Sequence, residues 1–239
     1  MNHRSALQPS AARPLIGKRP HKSTNSFLSW RGVWALTVMA GLLTSLTTAL
    51  ADLPAGWLDG DIGAPGQAGS AGYTNGTWSV SGSGADIWGT SDHFNFASEG
   101  FGGDGAIIAL VASESSTDPW AKAGIMFRDD LTPSAMHAAV VATSGNGVSF
   151  QWRSATGGQC TYTAASGVVP PVWVRLTRSA NVFSAYYSRD SVNWTQVGSD
   201  QAVNLNSTAR AGLAVTAHTN TLLNSASSRA SASLLLPQF

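Results

Sequence analysis

Residues Asp118 to Asp130 read DPWAKAGIMFRDD, and their alternation constrains the fold more than any other stretch. Ala121, Ala123, Ile125 and Phe127 alternate with Trp120, Lys122, Met126 and Arg128. Successive side chains of a strand point to opposite faces, so this segment has one small apolar face and one face with a Trp, a Met and two cations. A helix would scatter the same residues around its axis. The segment predicts a strand with one buried face and one face open to a partner, as in a β-sandwich that presents a surface.

The rest of the chain beyond Asp52 repeats that pattern in short pieces closed by Gly, Asn, Asp or Ser. Gly69 to Tyr73 and Thr77 to Ser81 flank Asn75-Gly76, a strong hairpin signal. Ala106 to Ala112 is nearly all apolar and predicts a strand buried on both faces. Ala138 to Thr143 pairs with Val148 to Arg153, and Val172 to Arg178 with Val182 to Tyr187, each across a short polar turn. Trp194 to Val197 and Ala211 to Ala217 add further strands, and Asn224 to Ser233 reads as a degraded one. No segment sustains a 3.6-residue period. The fold class is all-β, a two-sheet antiparallel β-sandwich or jelly roll.

The first 51 residues stand apart. Arg4, Arg13, Lys18, Arg19, Lys22 and Arg31 precede or open an apolar run from Gly32 to Leu50 that ends in Ala49-Leu50-Ala51. A basic leader, an apolar stretch and a small-x-small site predict a secretory signal cleaved before Asp52, with residues 52–239 as one domain. Export to the cell exterior or periplasm follows as an expectation. The competing reading of the apolar run is a retained membrane anchor. Six of the 14 bases lie in this leader and none of the 13 acids does, which leaves a net charge of −5 beyond it. Nucleic acid, which is bound by neutralising phosphates, is therefore not an expected partner. Cys160 is the only cysteine, so no intramolecular disulfide forms.

Several ordered motifs carry a family likeness: GSGADIWGTSDHF (Gly82 to Phe94), GDG (Gly103 to Gly105), DPWAKAGIMFR, GNGVSFQWR (Gly145 to Arg153), VWVRLTRSANVFSAYYS (Val172 to Ser188) and VNWTQVG (Val192 to Gly198). Over about residues 55–224 the chain resembles a bacterial family of exported concanavalin A-like modules. These are related to the β-sandwich appended to certain β-xylosidases and to laminin-G-like folds. The resemblance implies a concanavalin A-like jelly roll and an accessory role outside the cell. The usual aromatic and acidic final strand of that family is replaced here by Ser225 to Leu236, which bears on how the last strand pairs.

Reacting groups are sparse. Glycoside hydrolysis needs two carboxylates about 5–9 Å apart. Asp59-x-Asp61 has same-face spacing but lies among glycines at an edge strand or turn, and Asp129 with Asp130 follows a strand end and reads as turn. Trp120-Ala121-Lys122-Ala123-Gly124 is similar to a strand motif of alginate lyases, but Gln151-Trp152-Arg153 has Arg where their Gln-x-His motif has His. No catalytic residue is assigned, and the expectation is a non-enzyme. Asp86, Asp92 and Asp104 lie in Gly-rich turns and are weak candidates for a structural Ca²⁺, with no other cofactor expected. His93, His137 and His218 lack metal-ligand spacing.

Parity suggests a binding face instead. Gln151 and Arg153 point away from Val148, Phe150 and Trp152, while Trp173 and Arg175 point away from Val172, Val174 and Leu176. With Trp120, Lys122 and Arg128 they predict one aromatic and cationic patch on a single sheet. Trp57, Trp78, Trp88 and Trp194 read as packing residues. Sugars suit such a patch, since their C–H faces stack on rings while Arg, Lys and Gln donate to hydroxyls or carboxylates. The expected partner is a polysaccharide or other glycan. An extracellular protein partner and a polysaccharide lyase are the alternatives.

Overall fold

The computed structural model describes residues 53–234, and every regular element within them is a β-strand. The leader and its cleavage site lie outside the described residues. In chain order the strands are β1 (Leu58–Ile62), β2 (Ser70–Thr74), β3 (Thr77–Gly84), β4 (Phe94–Gly100), β5 (Gly105–Ser113), β6 (Lys122–Arg128), β7 (His137–Thr143) and β8 (Gly147–Arg153). They continue as β9 (Thr161–Ala165), β10 (Val172–Ser179), β11 (Val182–Ser188), β12 (Thr195–Gln196), β13 (Gln201–Ala202), β14 (Arg210–Thr216) and β15 (Thr219–Leu234). Sheet A runs β1-β4-β14-β6-β7-β8-β9, and sheet B runs β12-β11-β10-β5-β15-β3-β2, with β13 also on β11. All pairings are antiparallel.

The alternation seen in the sequence decides which atoms fill the space between the sheets. Ala123, Ile125 and Phe127 of β6 join Val140, Val148 and Phe150 on the inner side of sheet A. Ile107, Ala109 and Val111 of β5 meet them from sheet B, with Val172, Val174, Leu176, Phe183 and Ala185. Phe127 contacts Phe101 edge-on at 5.2 Å and Phe183 at 5.6 Å, so aromatic packing ties the layers at the centre. The β2–β3 hairpin turns at Asn75 (φ 52°) and Gly76 (φ 81°), the two positive-φ positions that a type I′ turn needs.

Two expectations are corrected. Strand β5 is buried on one face only, because its Ile108 and Leu110 stand half-exposed on the outer side of sheet B. The segment read as a degraded strand is part of β15, which pairs with β3 on one side and β5 on the other. Small Ser and Ala side chains suit that interior seat, where neighbours flank the strand on both edges.

At the margin of the sandwich, Asp59 and Asp61 link the two edge strands. Asp59 Oδ2 accepts the Ala71 N–H at 3.0 Å and Asp61 accepts the Gly69 N–H at 3.0 Å. Asp61 also accepts from Asn95 Nδ2 at 3.2 Å. These carboxylates satisfy backbone donors of the β2 edge.

Candidate functional site

The outer face of sheet A is not open along its whole length. The segment from Ala85 to His93 crosses it between β3 and β4 and lays Ile87, fully buried, onto Met126, Ala139, Val141, Phe94, Phe96, Ile62 and Ala214. Gly84 permits the crossing: it sits at φ 123°, and a Cβ there would lie 1.9 Å from the His93 carbonyl oxygen. Two clamps fix the segment on either side of Ile87. Asp86 pairs with Lys122 at one end. At the other, Asp92 accepts from Arg128 Nη1 at 2.6 Å and from Arg153 Nη1 and Nη2 at 2.7 and 2.6 Å. The cations on β6 and the acids on the crossing segment share the same six-residue spacing.

Arg128 and Arg153 are thus corrected from ligand donors to internal counter-charges, with no exposed side-chain surface. Burial opposes the Asp92 charge, yet the Arg153 hydrogen bonds and nearby positive charge hold its carboxyl below the usual range. His137 packs against the same cluster, and burial pushes its pKa down to about 3. Cys160 Sγ lies 3.7 Å from His137 Nε2, and burial pushes the thiol up to about 12. Arg153 also donates to the carbonyls of Trp88 (3.3 Å) and Gly89 (3.1 Å), and so fixes the backbone that carries Trp88.

Beside this covered zone lies a cleft of about 320 Å³ lined by Asp86, Trp88, Trp120, Lys122, Gln151, Tyr162 and His218. Asp86 and Trp88 reach it from the crossing segment, and the other side chains come from separate elements. Lys122 opens β6, Gln151 is on β8, and Tyr162 stands opposite Gln151 in the β8–β9 register. Trp120 is set by a turn in which Asp118 Oδ1 accepts the Trp120 N–H at 2.7 Å, braced by Asn146 Nδ2 donating to the Pro119 carbonyl at 2.8 Å. His218, between β14 and β15, holds a positive φ of 55°. Trp88, Trp120 and Tyr162 are 38, 37 and 45% exposed. Tyr162 meets Trp88 at 5.4 Å and 79°, and Trp120 at 6.3 Å and 88°, so the rings form an angular wall.

The polar groups of the cleft are unequally satisfied. Lys122 Nζ donates to Asp86 and to the Trp120 carbonyl at 3.2 Å. Asp86 Oδ1 accepts the Ile87 N–H at 2.7 Å, and Asp86 Oδ2 lies 3.4 Å from His218 Nε2. His218 Nδ1 lies 3.1 Å from Asp118 Oδ1. Gln151, by contrast, is 2% exposed and its Oε1 has no hydrogen-bond partner.

Of the predicted patch, the cleft brings together Trp120, Lys122 and Gln151. Trp173 and Arg175 belong to the other sheet, which corrects the single-face expectation: β10 pairs with β5 and β11 in sheet B. There Arg175 lies between the Tyr186 and Trp194 rings, 4.3 and 4.5 Å from their centroids. Sequence reasoning missed Tyr162 and His218, and it took Trp88 for a packing residue. Tyr162 was recoverable in principle by extending the parity of β8 across one more hairpin. The three aspartates proposed for Ca²⁺ do not converge: Asp86 and Asp92 have their cationic partners, and Asp104 accepts the Ala180 N–H at 2.6 Å. Among the described residues no three His, Cys, Asp or Glu side chains meet in a metal-holding group. Asp129 accepts from Asn206 N and Nδ2 at 2.6 and 2.9 Å, and Asp130 accepts the Thr132 N–H at 2.7 Å, as turn residues do.

No family model and no curated protein matches this chain. Among solved structures, a functionally unknown protein from Saccharomyces cerevisiae is similar at a TM-score of 0.58 and 18% identity, with 75% of this chain and 96% of that one covered. The κ-carrageenase of Pseudoalteromonas carrageenovora, solved with an oligotetrasaccharide of κ-carrageenan, is similar at a TM-score of 0.50 and 9% identity, covering 73% of this chain and 86% of that one. The fold is a concanavalin A-like sandwich. At these identities the likeness extends to architecture alone, and the cleft has to be read from its own residues.

Proposed function

We propose that this sandwich is an exported, non-catalytic carbohydrate-binding module, and that its ligand lies in the cleft on the outer face of sheet A. One observation carries the reading: two tryptophans and a tyrosine, each partly exposed, line a single cleft. Aromatic rings accept the C–H faces of sugars. The positive φ of His218 adds support, since sparsely populated backbone conformations cluster at ligand sites. The carrageenase structure holds an oligosaccharide on a sandwich of the same architecture.

A glycan array with the purified protein tests this, with Trp120→Ala and Tyr162→Ala alongside wild type. Each variant is expected to lose binding by about fivefold or more while its thermal midpoint holds, because stacking of one ring contributes about 1 kcal/mol beyond area burial. Retained binding in both variants would move the ligand elsewhere. Absence of binding to every glycan would favour an extracellular protein-interaction module. A lyase reading draws on Tyr162, His218 and Lys122 sharing the cleft with Gln151. It requires new ultraviolet absorbance from an unsaturated product when a uronate polymer is supplied.

A further inference from the structure

Resting on that carbohydrate reading, we infer that the cleft selects uncharged saccharides, because the cations near it already have carboxylate partners and its carboxylates repel an anionic ligand. The sequence alone left both hydroxyls and carboxylates open as targets for Lys122, Arg128 and Arg153. The structure removes all three as free donors. Arg128 and Arg153 lie beneath the crossing segment with Asp92. Lys122 is 1% exposed, with its ammonium held by Asp86 and the Trp120 carbonyl.

The charged and titratable groups that remain around the cleft are Asp86, Asp118, Lys122 and His218. The Lys122 ammonium is already paired with Asp86, and both ring nitrogens of His218 face carboxylates, Asp86 at 3.4 Å and Asp118 at 3.1 Å. A uronate or sulfate entering here would meet no unpaired cation and would approach Asp86 and Asp118. A neutral sugar meets no such opposition, and the rings of Trp88, Trp120 and Tyr162 are indifferent to ligand charge at first approximation. The carboxylates therefore decide which sugar stays.

The test is calorimetric titration of the full chain with two sets of hexasaccharides. The neutral set contains cello-, xylo-, manno- and laminarihexaose, and the acidic set contains galacturonate, guluronate and mannuronate hexamers. At least one neutral oligomer is expected to bind, and every acidic one to bind about tenfold more weakly or not at all. Asp118→Asn keeps the Oδ1 acceptor for Trp120 and is expected to narrow the gap between acidic and neutral ligands.

Acidic oligomers bound as tightly as neutral ones, with both lost in Trp120→Ala, would overturn the charge selection while leaving a sugar cleft in place. If no saccharide of either set binds wild type, the carbohydrate reading falls and this inference falls with it.

Discussion

Arg153 and Arg175 put one type of side chain to two uses on the two outer faces. Arg153 is fully buried and surrounded by acceptors, with Asp92 taking two of its N–H groups. Arg175 has no carboxylate partner among the described residues and is instead held between the Tyr186 and Trp194 rings. Such contacts contribute about 0.5–1 kcal/mol at exposed sites and about 2 when desolvated. Arg175→Ala is accordingly expected to lower stability by about 1 kcal/mol, measured by urea unfolding, without changing ligand binding in the cleft. A change in cleft binding would mean that the two faces communicate. Parity alone correctly turned Arg128, Arg153, Trp173 and Arg175 away from the core between the sheets. It could not tell what lies over an outward residue, nor which sheet a strand joins, since both depend on contacts made by distant segments.

The Ala85 to His93 segment is the element on which the cleft depends. It carries Asp86 and Trp88 into the site, and its far end is fixed by Asp92. Removing one partner of a buried ion pair leaves an uncompensated charge and costs about 3–5 kcal/mol. Asp92→Asn leaves two guanidinium groups in that position, so a loss of this size is expected in chemical denaturation, with weaker ligand binding as Trp88 loses its anchor. A loss below about 1 kcal/mol would show that solvent reaches the cluster in the variant. The segment's aspartates and the cations of β6 were each visible in the sequence. Their matching six-residue spacing was the available sign that they meet, but charge spacing between two segments carries no meaning until both are known to run along one another. Strands β6, β8, β10 and β14 were legible because their inner residues alternate strictly. Strand β9 was not, because Tyr162 is the only large residue in Thr161 to Ala165 and the other four are Thr or Ala.

Across the molecule, one buried and one partly buried group give acid stability opposite slopes. Unfolded His137 takes up a proton near pH 6.5, whereas the buried side chain resists it down to about 3, so its contribution falls as pH drops through that window. Glu114 behaves the other way. Burial raises its pKa from 4.5 to about 7, so its stabilising proton is fully held below 4.5 and lost as pH rises through 7. Between 4.5 and 6.5 the two offset each other. Glu114→Gln is expected to lose stability more steeply than wild type on acidification through this range, by up to about 1.4 kcal/mol per pH unit. Superimposable thermal midpoints of the two proteins at pH 7, 6 and 5 would refute the assignment. At this scale the sandwich itself was the most legible property, while the seat of β15 was not, because Ser and Ala residues do not announce an interior strand. That seat has a consequence for assembly. Strand β15 follows all the others in the chain, yet it lies between β3 and β5. Translation therefore completes the two parts of sheet B, β2–β3 and β5–β10–β11–β12, before the piece that unites them exists. Until β15 arrives, each part keeps a bare row of peptide groups facing a gap one strand wide, and β15 is the strand that closes it.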